Sequence, residues 1–272
     1  MKEPLPKLRR CLKMFGTVII DAYRENEKQQ MADAIDDLCC PNDNYGWASA
    51  GIYCFWDYYT HEVLYIGLAG DLAERFMQHN GLLHVESGSK EKQINEYFKS
   101  HELLGYSIFV QSPLSQPLVH RNKNQYEKFA KQINAPVQDL LCEQGKNDIH
   151  RVEGILIEAY RGKHGDFPRW NRIGGDIEGQ NRVLPNNYNI VNAFAHPEEY
   201  EANPIVSRCT IRELSENPSY EFCENYLHAV RMYMFMFGMD YTEAFEFTNK
   251  NDPFHSIDRI YEMKYFDKKL VV

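Results

Sequence analysis

The stretch Gly51-Ile52-Tyr53-Cys54-Phe55-Trp56-Asp57-Tyr58-Tyr59-Thr60-His61-Glu62-Val63-Leu64-Tyr65-Ile66-Gly67 holds two aromatic triplets that read as variants of each other, Gly51-Ile52-Tyr53 and Tyr65-Ile66-Gly67. Residues 51 to 59 and 63 to 68 are dense in β-branched and aromatic side chains, and the Tyr59-Thr60-His61-Glu62 stretch between them is polar. That pattern predicts a β-hairpin. Taken alone, aromatic residues across a hairpin read as packing and nothing more. A two-stranded ribbon is not stable by itself, so neighbouring segments must cover it.

Downstream, Asp71 with Glu74 three residues on has capping-box spacing, and Gly81 is a natural stop, so 71 to 81 reads as a short helix. Leu72 and Phe76 share one side of it, and Arg75 and His79, four apart, project together. Residues 82 to 89 read as a loop and 90 to 103 as a helix with Ile94, Tyr97 and Phe98 inward. Residues 106 to 110 are a third strand, ended by Pro113 and Pro117. Helices follow at about 122 to 134 and at 149 to 162.

Upstream, residues 1 to 38 read as helical. Leu8, Leu12, Phe15 and Ile19 lie at three- to four-residue spacing, a second helix runs from about Glu27 to Leu38, and the stretch from Cys39 to Asn44 breaks the pattern. Beyond Asn171, Gly174-Gly175 and the Asn-rich 180 to 192 read as a long loop, with helices at 197 to 202, 219 to 237, 241 to 248 and 254 to 265. The Met232, Phe235, Met236 and Met239 stripe reads as core or subunit contact. The expectation is an α+β fold: a small three-stranded antiparallel sheet flanked by helices. It has three parts: a helical extension over 1–47, a core with a helical insert over 48–175, and a mainly helical region over 176–272.

Composition narrows the function. A chain of 272 residues, 43% hydrophobic and 25% charged, suits a soluble globular protein, and the absence of an apolar run or secretion signal points to the cytoplasm. Seven cysteines without a C-x-x-C pair read as buried or free thiols, and the ten histidines show no metal-ligand spacing. The net charge of −9 argues against a nucleic-acid partner, since phosphates need Lys and Arg. Its distribution changes that reading: residues 48 to 175 hold 14 Lys/Arg against 15 Asp/Glu, while 176 to 272 hold 9 against 16. The central segment is nearly neutral and can carry a local positive groove.

One residue is out of place. Wound at about 100° per residue, the segment 152–160 puts Ile155, Leu156, Ile157, Ala159 and Tyr160 on one broad apolar arc, with Glu153 inside it and Glu158 outside. An inward carboxylate costs several kcal/mol unless a cation, hydrogen bonds or a metal compensates it. Either the arc is ragged and Glu153 reaches solvent or pairs with a stray Arg, or it is held in a shallow cleft for Mg²⁺, which prefers oxygen ligands.

In this order and on these elements, Gly51-Ile52-Tyr53, Tyr65-Ile66-Gly67, Arg75, Glu153 and Asn171 (after Asp166-Phe167-Pro168-Arg169-Trp170) resemble the GIY-YIG nuclease family. The resemblance covers residues 49 to 173 and implies the three-stranded sheet together with metal-dependent hydrolysis of nucleic-acid phosphodiesters. It makes Tyr53 a candidate to activate the attacking water and Tyr65 a positioner or polariser of that water or of the phosphate. It makes Arg75 the clamp on phosphate charge, Glu153 the ligand of a single Mg²⁺ or Mn²⁺, and Asn171 a structural or substrate-orienting residue. His79 is similar to the histidine at that place in the restriction-endonuclease branch. Helical extensions at both ends depart from the compact members.

The chemistry supports these roles independently. Phosphodiester hydrolysis must activate a water and neutralise growing charge, which a metal and a planar Arg fork can do. Tyrosine, with a reference pKa of about 10, needs a partner or a nearby positive charge. Antiparallel pairing of the triplets brings the Tyr53 and Tyr65 hydroxyls to one cleft. Arg161, Lys163, His164, Arg169 and Arg172 form a basic run beside it, read as phosphate contacts. The expected partner is nucleic acid, DNA before RNA, with a second copy or another protein on the C-terminal helices. The alternative is a non-catalytic module that keeps the fold for binding.

Overall fold

Phe15–Tyr23, FGTVIIDAY, is a β-strand and not the helix expected there. All nine of its residues are buried, because both faces of the sheet it joins are covered. A strand buried on both sides loses its alternation, and a continuous apolar run then looks alike in either structure. The computed structural model describes residues 15–39, 49–111, 120–136 and 143–272. Leu8, Leu12, Pro113, Pro117 and residues 40 to 44 of the expected helix-ending stretch lie outside them.

After this strand, β1, come α1 (Lys28–Leu38), the hairpin β2 (Gly51–Asp57) and β3 (Val63–Ala69), α2 (Leu72–His79), α3 (Glu91–Phe98) and β4 (Leu104–Gln111). Then follow α4 (His120–Ile133), α5 (Glu143–His164), α6 (Ile177–Gln180), α7 (Tyr188–Ala195), α8 (Ile211–Glu216), α9 (Pro218–Phe237), α10 (Tyr241–Asn251) and α11 (Ser256–Glu262). Helix α7 occupies part of the stretch expected to be a loop; its Ile190, Val191 and Phe194 bury against the sheet. Among the described residues the fold is thus α+β with four strands, one more than expected, in the order β1-β4-β2-β3 and antiparallel throughout.

Ile19, Tyr53, Phe55, Tyr106 and Ile108 point to one face, where α1, α2 and the C-terminal helices pack. Val18, Ile20, Ile52, Cys54, Trp56 and Phe109 point to the other, under α5 and α7. Both sheet edges are closed, which removes the unpaired backbone that invites aggregation. On the β1 edge, Val18 N donates to Ile205 O and Val18 O accepts from Ser207 N. On the β3 edge, Trp170 N donates to Leu64 O, and the Asn171 side chain bonds both the N–H and the C=O of Ile66.

The C-terminal helices are tied to β1 by buried charges. Arg231 and Glu224 meet at 2.6 Å, both almost fully buried. Arg231 also donates to Thr17 Oγ1, Pro204 O and Val206 O, while Glu224 accepts from Arg208 N and the Tyr265 hydroxyl. On α8, Arg212 pairs with the buried Asp21 at 2.8 Å. From the Met stripe, Phe235 packs on Phe109. Cys39, Cys54, Cys209 and Cys223 are buried thiols outside any disulfide, as expected. Among the described residues no helix is long and apolar enough to cross a membrane.

Candidate active site

The register of the hairpin decides where the two tyrosines go. Tyr53 pairs with Gly67 and Phe55 with Tyr65, so Tyr53 and Tyr65 are diagonal neighbours on one face, with ring centroids 5.8 Å apart. Gly67 makes this possible: a Cβ there would sit 2.6 Å from the Tyr53 hydroxyl and 2.6 Å from the Tyr65 ring. Tyr53 is buried and Tyr65 half-buried, so Tyr65 is the more accessible of the two.

Helix α2 starts where expected. Asp71 Oδ1 accepts from Glu74 N, Leu72 and Phe76 are buried, and the helix delivers Arg75 and His79 to the tyrosines one turn apart. His79 is fully buried, and its Nε2 lies 2.6 Å from the Tyr53 hydroxyl. Its Nδ1 accepts from the Lys90 backbone N–H at 2.9 Å. A backbone amide can only donate, so Nδ1 carries no proton and the proton of the neutral ring sits on Nε2, facing Tyr53. Burial first, and then the Arg75 and Lys90 charges, push the His79 pKa down to about 2, which keeps the ring neutral.

Arg75 Nε also donates to the Tyr53 hydroxyl, at 3.3 Å, while Nη1 and Nη2 are held by Gln78 Oε1 and Gly88 O. The Tyr53 oxygen therefore faces two donors, and the Tyr65 ring packs beside the Tyr53 ring. Burial raises the pKa of both phenols; Arg75 pulls each back down, and Glu153 adds to the rise of Tyr65.

Glu153 is brought to this group by α5, which crosses β2 and β3 with Val152, Ile155 and Leu156 packed on the sheet. It is half-buried at the margin of the arc, where the nearby backbone of Leu68 favours its charged form. Segment 174–176 lies hard against it: a Cβ on Gly154 would come within 2.3 Å of Asp176 O. Burial, and then the Asp176 carboxylate, push Glu153 up to about 7, against the pull of Leu68 and Arg75. Two neighbouring carboxylates, with waters and phosphate oxygens to complete the shell, suit a hard divalent cation such as Mg²⁺ or Mn²⁺.

Three cations gather on the same side. The Lys90 ammonium lies 4.5 Å from the Tyr65 ring centroid, and burial together with Arg172 and Arg75 lowers its pKa. No motif marks Lys90; it falls in the stretch after the loop and reaches the site only because its own N–H caps His79. Asp176 was also missed, although an acid directly after Gly174-Gly175 is a readable hint.

The other expected residues divide. Asn171 spends both ends of its amide on Ile66, so it stands in for a further strand at the β3 edge. Arg172 is exposed beside Lys90. Arg169 lies 4.0 Å from Glu62 and lines, with Lys92, Tyr97 and Trp170, a cleft of about 550 Å³. Arg161 and Lys163 do not join the site: Arg161 is clamped on Glu158, and Lys163 lies over Tyr188. His164 likewise turns to the Tyr188 hydroxyl. Against known proteins, the chain matches no family model, no curated protein and no solved structure.

Proposed function

We propose that the chain is a metal-dependent endonuclease of the cytoplasm that hydrolyses phosphodiester bonds of nucleic acid, DNA in preference to RNA, in the manner of a restriction enzyme. The observation that carries this reading is the gathering of Tyr53, Tyr65, Arg75, His79 and Glu153, drawn from two strands and two helices, within mutual electrostatic reach. Such a gathering of groups with shifted pKa values is expected of catalytic sites.

The reacting form of the tyrosine pair holds one proton between two phenol oxygens. Its negative charge is stabilised by His79 Nε2–H and Arg75 Nε–H, and it takes the proton of the attacking water at the more accessible Tyr65. Neutral His79 acts as a donor here and not as a base, because its Nδ1 is already committed to Lys90 N–H. Arg75, Lys90 and Arg172 compensate the charge that grows on the phosphate oxygens. Glu153, with Asp176 beside it, would hold the Mg²⁺ or Mn²⁺, which when bound supplies a Lewis acid for the phosphate and the leaving oxygen.

Plasmid nicking with Mg²⁺ tests the proposal. Wild type should cleave, and Glu153→Ala and Arg75→Ala should not. Binding of DNA without cleavage across metals and substrates would leave a non-catalytic module in its place.

A further inference from the structure

A second group of ligand-type side chains lies at the turn of the β2–β3 hairpin, and the nuclease reading does not use it. One donor atom each from His61, His196 and Glu198 lie within 4.8 Å of one another. The three come from the hairpin turn and from the segment after α7, so no sequence spacing announces them. We propose that His61, His196 and Glu198 bind a borderline divalent transition ion of the Zn²⁺ type, which staples the hairpin turn to the chain after α7.

The donor set is two imidazoles and one carboxylate. Three protein ligands with open positions for water suit Zn²⁺ or Co²⁺, whereas Mg²⁺ prefers oxygen alone. The carboxylate reaches both rings: Glu198 Oε1 is 2.8 Å from His196 Nδ1, and Oε2 is 3.6 Å from His61 Nδ1. The imidazole rings lie nearly parallel, with centroids 5.1 Å apart.

His61 is held for this task. Its Nδ1 lies 2.6 Å from Ala195 O, a backbone contact that an ion held at Nε2 would keep and one held at Nδ1 would displace. It adopts φ of 60°, a left-handed conformation that a β-turn could assign to glycine or asparagine without strain. Asp57 Oδ1 fixes the turn around it by accepting from Tyr59 N and Thr60 N. A cavity of about 410 Å³, lined by His61, Glu62, Tyr160, His164 and His196, gives water access to the ion.

The full chain, stripped of metal by chelator, is dialysed against Co²⁺ and separately Zn²⁺, and stoichiometry and Co²⁺ visible absorption are read. His61→Asn keeps the turn, since asparagine tolerates left-handed backbone; His196→Ala and Glu198→Gln remove the other donors. Losing an outer-shell partner alone costs 10- to 100-fold in metal affinity, so each ligand variant should lose at least about a hundredfold. Co²⁺ should give ligand-field bands in wild type and in Glu153→Gln but not in His196→Ala. Zn²⁺ should raise the melting temperature of wild type and not of the three variants, each compared with its own metal-free melting. Retention of binding in Glu153→Gln separates this site from the nuclease centre. Absence of saturable Co²⁺ or Zn²⁺ binding below about millimolar, or binding that survives His196→Ala and Glu198→Gln together, would overturn the proposal, the millimolar bound being about 4 kcal/mol of affinity.

Discussion

Two clusters of buried polar side chains sit on the same sheet and are built on opposite plans. Around Glu224 and Arg231, charge meets opposite charge, and the lone pairs and N–H groups left over find backbone or hydroxyl partners. Around Tyr53, like meets like: Arg75 and Arg172 press on Lys90, and Asp176 presses on Glu153. The first plan closes an account of desolvation within the protein, which is what a structural tie needs. The second leaves positive and negative excess side by side, to be relieved by something with both kinds of charge, such as a phosphate with its cation.

The largest effect should come from breaking the closed cluster. Arg231→Ala leaves Glu224 buried without its counter-charge, and removing one partner of such a pair costs about 3–5 kcal/mol. Chemical denaturation should show this loss. If Arg231→Ala unfolds at the wild-type midpoint, the two clusters do not differ in the way described.

Next in size is the converse experiment at the open cluster. Arg75→Ala should cut the cleavage rate by about 10²–10³-fold, roughly 2.7–4 kcal/mol in the transition state, as for loss of an oxyanion donor. Its stability should change far less than that of Arg231→Ala, because the groups Arg75 donates to, a hydroxyl, an amide oxygen and a backbone carbonyl, are all neutral. Single-turnover rates and melting curves on the same preparations check both halves of the statement.

The third effect depends on pH. Glu153 has its pKa raised from 4.5 to about 7, so the folded state favours the protonated form. The stability this group contributes is fully present below about pH 4.5 and is lost as pH rises through about 7. The loss amounts to up to about 3 kcal/mol at 1.36 kcal/mol per unit. Glu153→Gln, which stays neutral, should match wild type near pH 4.5 and exceed it at pH 8. Mg²⁺ added at pH 8 should narrow that gap by stabilising the wild type alone. Equal stability of the two proteins at both pH values would mean that Glu153 is solvated and that the crowding of carboxylates is unimportant.

How much of this contrast could be read from the sequence follows from where its causes lie. The hairpin, α2 and its cap were legible because turn chemistry and helix signals are local, and Tyr53, Tyr65, Arg75 and His79 sit on those elements. That Glu153 falls inside the apolar arc was legible from helical periodicity, whereas how far it reaches solvent was not, and in the structure it is half-buried. Strand β1 was not, because burial on both faces erases the alternation that separates strand from helix, and its partner β4 is far along the chain. The division of the basic run was equally hidden: whether Arg161 faces phosphate or Glu158 depends on rotamers at the end of α5. The closed cluster around Glu224 joins β1 to α9 and a C-terminal turn, and no pattern within any one of these segments announces it.

The smallest effect is also the sharpest test of the open cluster, because it falls on Lys90, the cation that no motif picks out. Lys90→Met keeps an aliphatic stem over the Tyr65 ring and removes only the charge. Relieving Arg75 and Arg172 of a like charge should leave stability unchanged or slightly higher, within the roughly 0.5 kcal/mol of ordinary surface changes. If the ammonium meets a phosphate, DNA affinity measured with Ca²⁺ in place of Mg²⁺ should fall, and the slope of log K against log salt should shrink by about 0.9, one phosphate contact. The backbone N–H that fixes the His79 tautomer is untouched by the substitution, so the proton arrangement at Tyr53 survives and the pH dependence of cleavage should keep its shape. An unchanged salt slope would place the phosphate away from Lys90. The crowding of cations would then be a cost the fold bears for positioning that amide, and not a site made for an anion.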